Sequence, residues 1–279
     1  MSNRSRQPLS GGVGRAEPVA NKAFGQHFLL DLNICRKIAR LAGPLAGATV
    51  IEIGPGPGGL TRALIEAGAV VFAVEKDVRF APRLADLALT AGGRLNVAYA
   101  DALEIDEGAL IAPASRARIV ANLPYNIATP LLVKWLTGAF QPAEMTLMFQ
   151  KEVAERIVAP PGGRDYGRLA VLAQALCEAR IVMELPARAF TPPPKVTSAV
   201  VRLTRRACPL APEVIAALQK VAMAAFGQRR KMLRSALRSL GGEALCEAAG
   251  VDPEVRAETL TVPQFLQLAR AEMARDQAP

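Results

Sequence analysis

Histidine is almost missing from this 279-residue chain: His27 is the only one. The four cysteines, Cys35, Cys177, Cys208 and Cys246, lie far apart and form no Cys-x-x-Cys pair. With no histidine cluster beside them, a zinc site has no ligand set. A disulfide framework is out of place in a chain of this length, so reduced thiols in a cytoplasmic protein are expected. Long apolar runs are also lacking. None nears the roughly 20 residues of a membrane span. The polar, basic start (Met1-Ser-Asn-Arg-Ser-Arg-Gln-Pro) has no apolar stretch behind it, so no signal peptide is expected. Aromatic residues make up only 5% of the chain, so any that is exposed is a candidate for a functional contact. Acidic residues are outnumbered, 25 against 34 Lys and Arg, for a net charge of +9. That imbalance says little about fold but favours an acidic partner, of which nucleic acid is the commonest.

What is present is an alternation of short apolar strands and helices. Residues 1–20 lack periodicity and read as a disordered basic tail. Asp31 caps a helix running to about Leu41, and Gly43 stops it. The strand Thr49-Val-Ile-Glu-Ile then enters a Gly-rich turn, and a helix from Thr61 to Ala67 follows. Further strands end at Glu75, Asp101 and Asn122, and another covers Met145 to Phe149. Thr129-Pro130 has the form of a helix start, with Thr as cap and Pro in the first turn. Continuous apolar strands between helices predict an α/β fold, a doubly wound parallel sheet. Ligands of such sheets bind beyond the carboxyl ends of the strands, which singles out Gly54, Glu75, Asp101 and Asn122. Beyond Arg206 the pattern is helical only, so a large domain over 21–206 and a small helical one over 207–279 are expected.

The turn Glu52-Ile-Gly-Pro-Gly-Pro-Gly-Gly matches the dinucleotide fingerprint through Gly54, Gly56 and Gly59, with Glu75 placed to take ribose hydroxyls. It equally fits Glu-x-Gly-x-Gly-x-Gly, the first motif of class I methyltransferases. Both cofactors need close backbone approach and a carboxylate clamp on a ribose, so a nicotinamide enzyme and an S-adenosylmethionine enzyme both stay open at this point.

Asn122-Leu123-Pro124-Tyr125 separates them. It resembles the [Asp/Asn/Ser]-Pro-Pro-[Tyr/Phe] motif of enzymes that methylate exocyclic amines of nucleobases. An adenine amine is a poor nucleophile because its lone pair is delocalised into the ring. Two acceptors, the Asn122 side-chain oxygen and the Leu123 carbonyl, can hold it pyramidal. Pro124 biases Leu123 to an extended conformation, and Tyr125 offers a stacking face for a base drawn out of its own stack. Asp101 suits a carboxylate accepting from a cofactor's adenine amine.

After Gly227 comes Gln-Arg-Arg-Lys-Met-Leu-Arg-Ser-Ala-Leu-Arg-Ser-Leu. Met232, Leu233, Ala236, Leu237 and Leu240 make an apolar helical stripe, and Arg230, Arg234 and Arg238 recur every fourth residue on another face. No acidic residue occurs from Lys220 to Leu240. An unpaired basic stripe, with Arg229 and Lys231 beside it, suits an RNA backbone, and Arg4, Arg6, Arg15 and Lys22 extend it.

With Lys22-Ala-Phe-Gly-Gln-His-Phe-Leu, the Gly-rich turn, Asn-Leu-Pro-Tyr, Phe190-Thr-Pro-Pro-Pro-Lys-Val-Thr-Ser-Ala-Val and Ala225-Phe-Gly-Gln-Arg-Arg-Lys-Met-Leu, the chain resembles one family from residue 22 to about 270. That family is the bacterial small-subunit ribosomal RNA adenine N6,N6-dimethyltransferases. The resemblance implies a Rossmann-like class I methyltransferase using S-adenosylmethionine. It also implies dimethylation of two adjacent adenosines in a hairpin near the 3′ end of that RNA, in small-subunit biogenesis. Its partners would be the RNA and the 30S subunit, with no membrane, and a monomer is the expected form. By position, His27 and Leu29 would touch the cofactor from an N-terminal segment folded over it, together with Gly54, Gly56, Glu75, Asp101 and Asn122. Phe190 would stack on the target base opposite Tyr125. The competing readings are a resistance-type methyltransferase of large-subunit RNA, a nicotinamide oxidoreductase, and a non-enzymatic checkpoint on immature small subunits.

Overall fold

A computed structural model describes residues 25–111, 116–228 and 230–276. The proposed tail over 1–20, Lys22 and Arg229 lie outside the described residues.

The elements follow in chain order. β1 is Phe28–Leu29, α1 Leu32–Leu41, β2 Thr49–Ile53, α2 Gly59–Glu66, β3 Val70–Glu75, α3 Ala81–Thr90 and β4 Leu95–Tyr99. Next come β5 Arg118–Asn122, α4 Tyr125–Thr137, β6 Glu144–Gln150, α5 Lys151–Val158, α6 Arg168–Leu176, β7 Cys177–Leu185, β8 Phe190–Thr191 and β9 Ser198–Arg205. Helices α7 Pro212–Gly227, α8 Leu233–Ala236, α9 Gly242–Ala248 and α10 Val262–Asp276 complete the chain. Asp31 caps α1 by accepting from the Asn33 N–H, as its place before the apolar stripe predicts.

The main sheet has seven strands in the order β4-β3-β2-β5-β6-β9-β7. Neighbours from β4 to β6 are parallel, whereas β9 runs antiparallel to both β6 and β7. The expectation of a fully parallel sheet is therefore corrected at one strand. Residues 186–197, which join β7 to β9, contain no α-helix to carry the chain back along the sheet, so β9 returns beside β7 in the opposite direction. The winding direction reverses between β2 and β5, and this opens the crevice where ligands of open α/β sheets bind.

Side chains alternate onto two covered faces. Ile51, Ile119 and Leu147 enter one core with Trp135 of α4, and Val50, Val120 and Met148 enter the other with Ile38 of α1 and Leu64 of α2. Leu218 and Val221 of α7 and Phe265 of α10 belong to the first of these cores, so the C-terminal helices pack onto α4 and α6, the helices that meet the sheet on that face.

Two local expectations change. The helix expected from Thr129-Pro130 starts at Tyr125, and Pro130 lies inside it. Pro124 (φ −56°, ψ 128°) turns the chain straight out of β5, and the proline one turn further on removes a single backbone donor. The basic stretch after Gly227 is not one helix. A turn closed by Lys231 N–H to the Gln228 carbonyl separates α7 from the single turn of α8, and a 3₁₀ turn over Arg238–Leu240 follows. The Leu233 and Arg234 N–H groups donate to the carbonyls of Val255 and Pro253, not to a preceding helical turn, so the helix restarts there.

Candidate active site

The carboxyl ends of β2, β3, β4 and β5 meet in one cavity. Ile53, Gly54 and Gly56 come from the first turn, and Val74 and Glu75 from the end of β3. Asp101, Ala102 and Leu103 come from the segment after β4, and Asn122, Leu123, Pro124 and Tyr125 from the end of β5. The roof is Gly25–Phe28.

Three contacts tie that roof down. Gln26 Nε2 donates to Asp77 Oδ2 (2.9 Å), Asn122 Nδ2 to the His27 carbonyl (2.9 Å), and His27 Nδ1–H to the Pro192 carbonyl (2.8 Å). β1 also pairs antiparallel with β8, Leu29 opposite Phe190. The Gly-rich turn is shaped to this roof. Gly56 has φ +52°, and a Cβ there would stand 3.0 Å from the Phe28 ring; a Cβ on Gly59 would stand 2.7 Å from the Leu29 carbonyl. Gly59, read as part of a nucleotide fingerprint, is thus required by the strap crossing above it.

Glu75 is 5% exposed. One carboxylate oxygen accepts from Gly56 N–H (2.9 Å) and the other from Asp77 N–H (2.7 Å), which orients the group while leaving lone pairs towards the cavity. Burial raises its pKa, against the pull of those backbone donors. Asp101 pairs with Lys76 (2.6 Å) and accepts from Leu103 N–H (2.9 Å), and the Lys76 contact holds its carboxyl below the usual range. Between these carboxylates the wall is apolar: Val74, Ala100, Ala102, Leu103 and Ile127. Two carboxylate acceptors beyond neighbouring strands, beside an apolar slot and glycines that open the floor, fit an adenosine-bearing cofactor.

On the opposite wall, donation by Nδ2 to the His27 carbonyl fixes the Asn122 amide. Its Oδ1 has no partner among the described residues and is not sealed from the cavity. The Leu123 side chain is 2% exposed and anchored in the core, so its backbone is held at the cavity edge. Tyr125 is half-buried. Its hydroxyl is 2.6 Å from Ser198 Oγ, and its ring centroid is 5.6 Å from that of His27. Tyr125 and His27 also border a second, outer cavity of about 1090 Å³, lined by Phe28, Arg83, Gln150 and the Thr191–Val196 loop. The two cavities therefore share a wall.

Several sequence-derived placements change. Leu29 is 5% exposed and Phe190 3%; both lie in the second core and neither lines a cavity wall. The β1–β8 pairing turns this apolar pair inward, so the stacking position opposite Tyr125 is bordered by the loop after Phe190 rather than by its ring. Arg230, Lys231, Arg234 and Arg238 are all exposed, but Arg234 is paired with Glu254 (3.0 Å). The roles of Gln26, Asp77 and Ser198 do not follow from the sequence pattern. Ser198 stands inside the proline-rich motif, and Asp77 has the form of a cap, accepting from the Arg79 N–H of the Val78–Phe80 turn.

The sequence profile of the ribosomal RNA adenine dimethylase family matches residues 19–272. The chain is 64% identical over 260 residues to a ribosomal RNA small subunit methyltransferase A of Phenylobacterium zucineum, covering 93% of this chain and 90% of that protein. It is also 64% identical over 253 residues to the protein of the same name from Caulobacter vibrioides, covering 91% and 97%. Among solved structures, a dimethyladenosine transferase from Plasmodium falciparum aligns at TM-score 0.72 and 26% identity, over 87% of this chain and 96% of that one. The 23S rRNA methyltransferase ErmE aligns at TM-score 0.67 and 30% identity, over 88% and 98%.

Proposed function

This chain belongs to the ribosomal RNA adenine dimethylase family, and from that premise we propose that it methylates N6 of adenines in small-subunit ribosomal RNA. The targets would be two adjacent adenosines in a hairpin near the RNA 3′ end, each taking two methyl groups. S-adenosylmethionine, when bound, supplies an electrophilic methyl on a sulfonium. Glu75 accepts from the ribose hydroxyls and Asp101 from the cofactor's adenine amine, while Gly54 and Gly56 let the backbone approach and His27 closes the roof.

The observation that carries the reading is the Asn122 amide, pinned through its nitrogen so that its oxygen is the free acceptor at the cavity. Asn122 Oδ1 and the Leu123 carbonyl each accept one N–H of the target amine, holding it pyramidal with its lone pair aimed at the methyl. Tyr125, held by Ser198, supports the base face. Pro124 sets the geometry of that tetrapeptide. Positioning supplies most of the rate, since the leaving group is already activated, and the proton departs to water. The target nucleotide enters through the outer cavity. Arg230, Lys231 and Arg238, exposed on residues 207–279, contact RNA phosphates by charge, with Arg229 adjacent in sequence. Action as a monomer on the 30S subunit in the cytoplasm follows from the same reading.

The test is tritiated-methyl transfer to purified unmethylated small subunits with the modified nucleoside identified. Asn122→Ala should lose transfer by at least about 100-fold while S-adenosylhomocysteine binding, weakened by the lost tie to the His27 carbonyl, stays measurable by calorimetry. Near-normal dimethylation by that variant would refute the assignment, and its retained binding to subunits would separate docking from chemistry. The fold match to ErmE makes large-subunit RNA the second substrate to assay in parallel. The 64% identity to small-subunit enzymes predicts little transfer there.

A further inference from the structure

We propose that Lys134 is a positioning residue for the cofactor's adenine end, an inference that rests on the function above. Lys134 stands about two and a half turns beyond Tyr125 on α4. Its ammonium donates to the Ala102 carbonyl (2.8 Å), the Ile105 carbonyl (2.5 Å) and Glu107 Oε1 (3.0 Å), and also lies 2.9 Å from Glu107 Oε2. All of these acceptors belong to one short segment, residues 102–107. The next residue of α4 grips the same point: Trp135 Nε1 donates to Glu107 Oε1 (2.7 Å). Glu107 is 1% exposed and Trp135 fully buried, so this end of the tether is rigid.

The tethered segment is the one that leaves β4 and forms the adenine wall. Asp101 opens it, accepting the Leu103 N–H on its side chain and the Glu104 and Ile105 N–H groups on its carbonyl. The turn is therefore tied at its start to Asp101 and at its end to Lys134. On its outer side Leu103 is 40% exposed, so packing alone does not hold the turn in place. The amino end of the same helix carries the tetrapeptide that grips the target amine. α4 thus fixes two walls at once, the acceptor pair through Pro124-Tyr125 and the adenine slot through Lys134. Without the ammonium, the segment would have to be ordered at the moment the cofactor binds, at a cost in affinity.

Lys134→Met keeps most of the stem and removes the three donors. In the full-length protein it should weaken S-adenosylhomocysteine binding about tenfold by calorimetry. The KM for S-adenosylmethionine should rise in parallel while kcat at saturation stays within about twofold. Hydrogen exchange at the Leu103–Ile105 amides should speed up, and Lys134→Arg should recover most of the affinity. A folded Lys134→Met protein with wild-type affinity overturns the proposal, even if its stability falls, because that is what a purely structural role predicts. Should Lys134→Met fail to fold, Trp135→Phe removes the second grip on Glu107. An about threefold loss of affinity there supports the proposal, and unchanged affinity overturns it. A wild-type chain that binds no S-adenosylhomocysteine overturns the function itself, and this inference with it. Equal binding by wild type and Lys134→Met overturns the inference alone.

Discussion

Glu52 offers the sharpest test of the electrostatics beneath the cofactor site. It lies on β2, two residues before Gly54 of the Gly-rich turn, with 1% of its surface exposed and Oε2 buried without a partner. Burial pushes its carboxyl up to about 8 from an ordinary 4.5. Thr61 pulls the other way, and the nearby Glu75 charge adds to the rise. Between those two pH values the folded chain holds a proton that the unfolded chain releases. Stability from this group is therefore full below about pH 4.5 and is lost as pH rises towards about 8, at about 1.4 kcal/mol per pH unit. From about pH 5.5 to about pH 7.5 the wild type should lose roughly 3 kcal/mol relative to Glu52→Gln, whose amide does not titrate. The amide carries its own burial cost of about 1–2 kcal/mol, so the variant should be the less stable at the acid end and draw level or better above neutrality. Urea unfolding followed through the single tryptophan, Trp135, measures both proteins across that range. Parallel curves would mean that Glu52 is ionised in the folded state and would refute the argument from burial.

The remaining predictions concern the turn and the thiols. Gly56→Ala should cost about 1–2 kcal/mol, from its positive φ and the collision with Phe28, and should weaken S-adenosylhomocysteine binding by lifting the strap. Unchanged urea midpoint and unchanged calorimetric affinity would count against that turn geometry. Ellman's reagent should label one thiol quickly in the native chain, exposed Cys208, and all four after denaturation. Cys35, Cys177 and Cys246 are fully buried. Burial raises all three thiols, to about 12 for Cys35, where Glu52 and Asp31 add to it, and to about 11 for Cys177. A second fast thiol would contradict the packing of α1, β7 or α9.

The layout of the site was legible because a parallel sheet converts sequence order into position. Once strands are found ending at Ile53, Glu75, Tyr99 and Asn122, their carboxyl ends must share one edge. The β7–β9 pair is not legible in the same way. Glu178, Arg180 and Glu184 interrupt the apolar pattern of β7, the edge strand, and a proline-rich loop separates it from its partner. Thr129-Pro130 misleads about the start of α4 because it has the local form of a cap, while the tertiary exit from β5 had already begun the helix at Tyr125.

By itself the amino-acid sequence determined which chemistry is present and in what order: glycines, carboxylates and an amide after successive strands, then a basic helical end. The tertiary structure alone decided which partners each group has. The Asn122 amide is oriented by the His27 carbonyl, 95 positions away in the chain. Arg234 is paired by Glu254 from beyond α9, and Phe190 and Leu29 are turned into the core by pairing two strands of two residues each. Such contacts depend on where the chain returns, and local propensity carries no information about that. The residue types could therefore be read from the sequence, but their orientation could not.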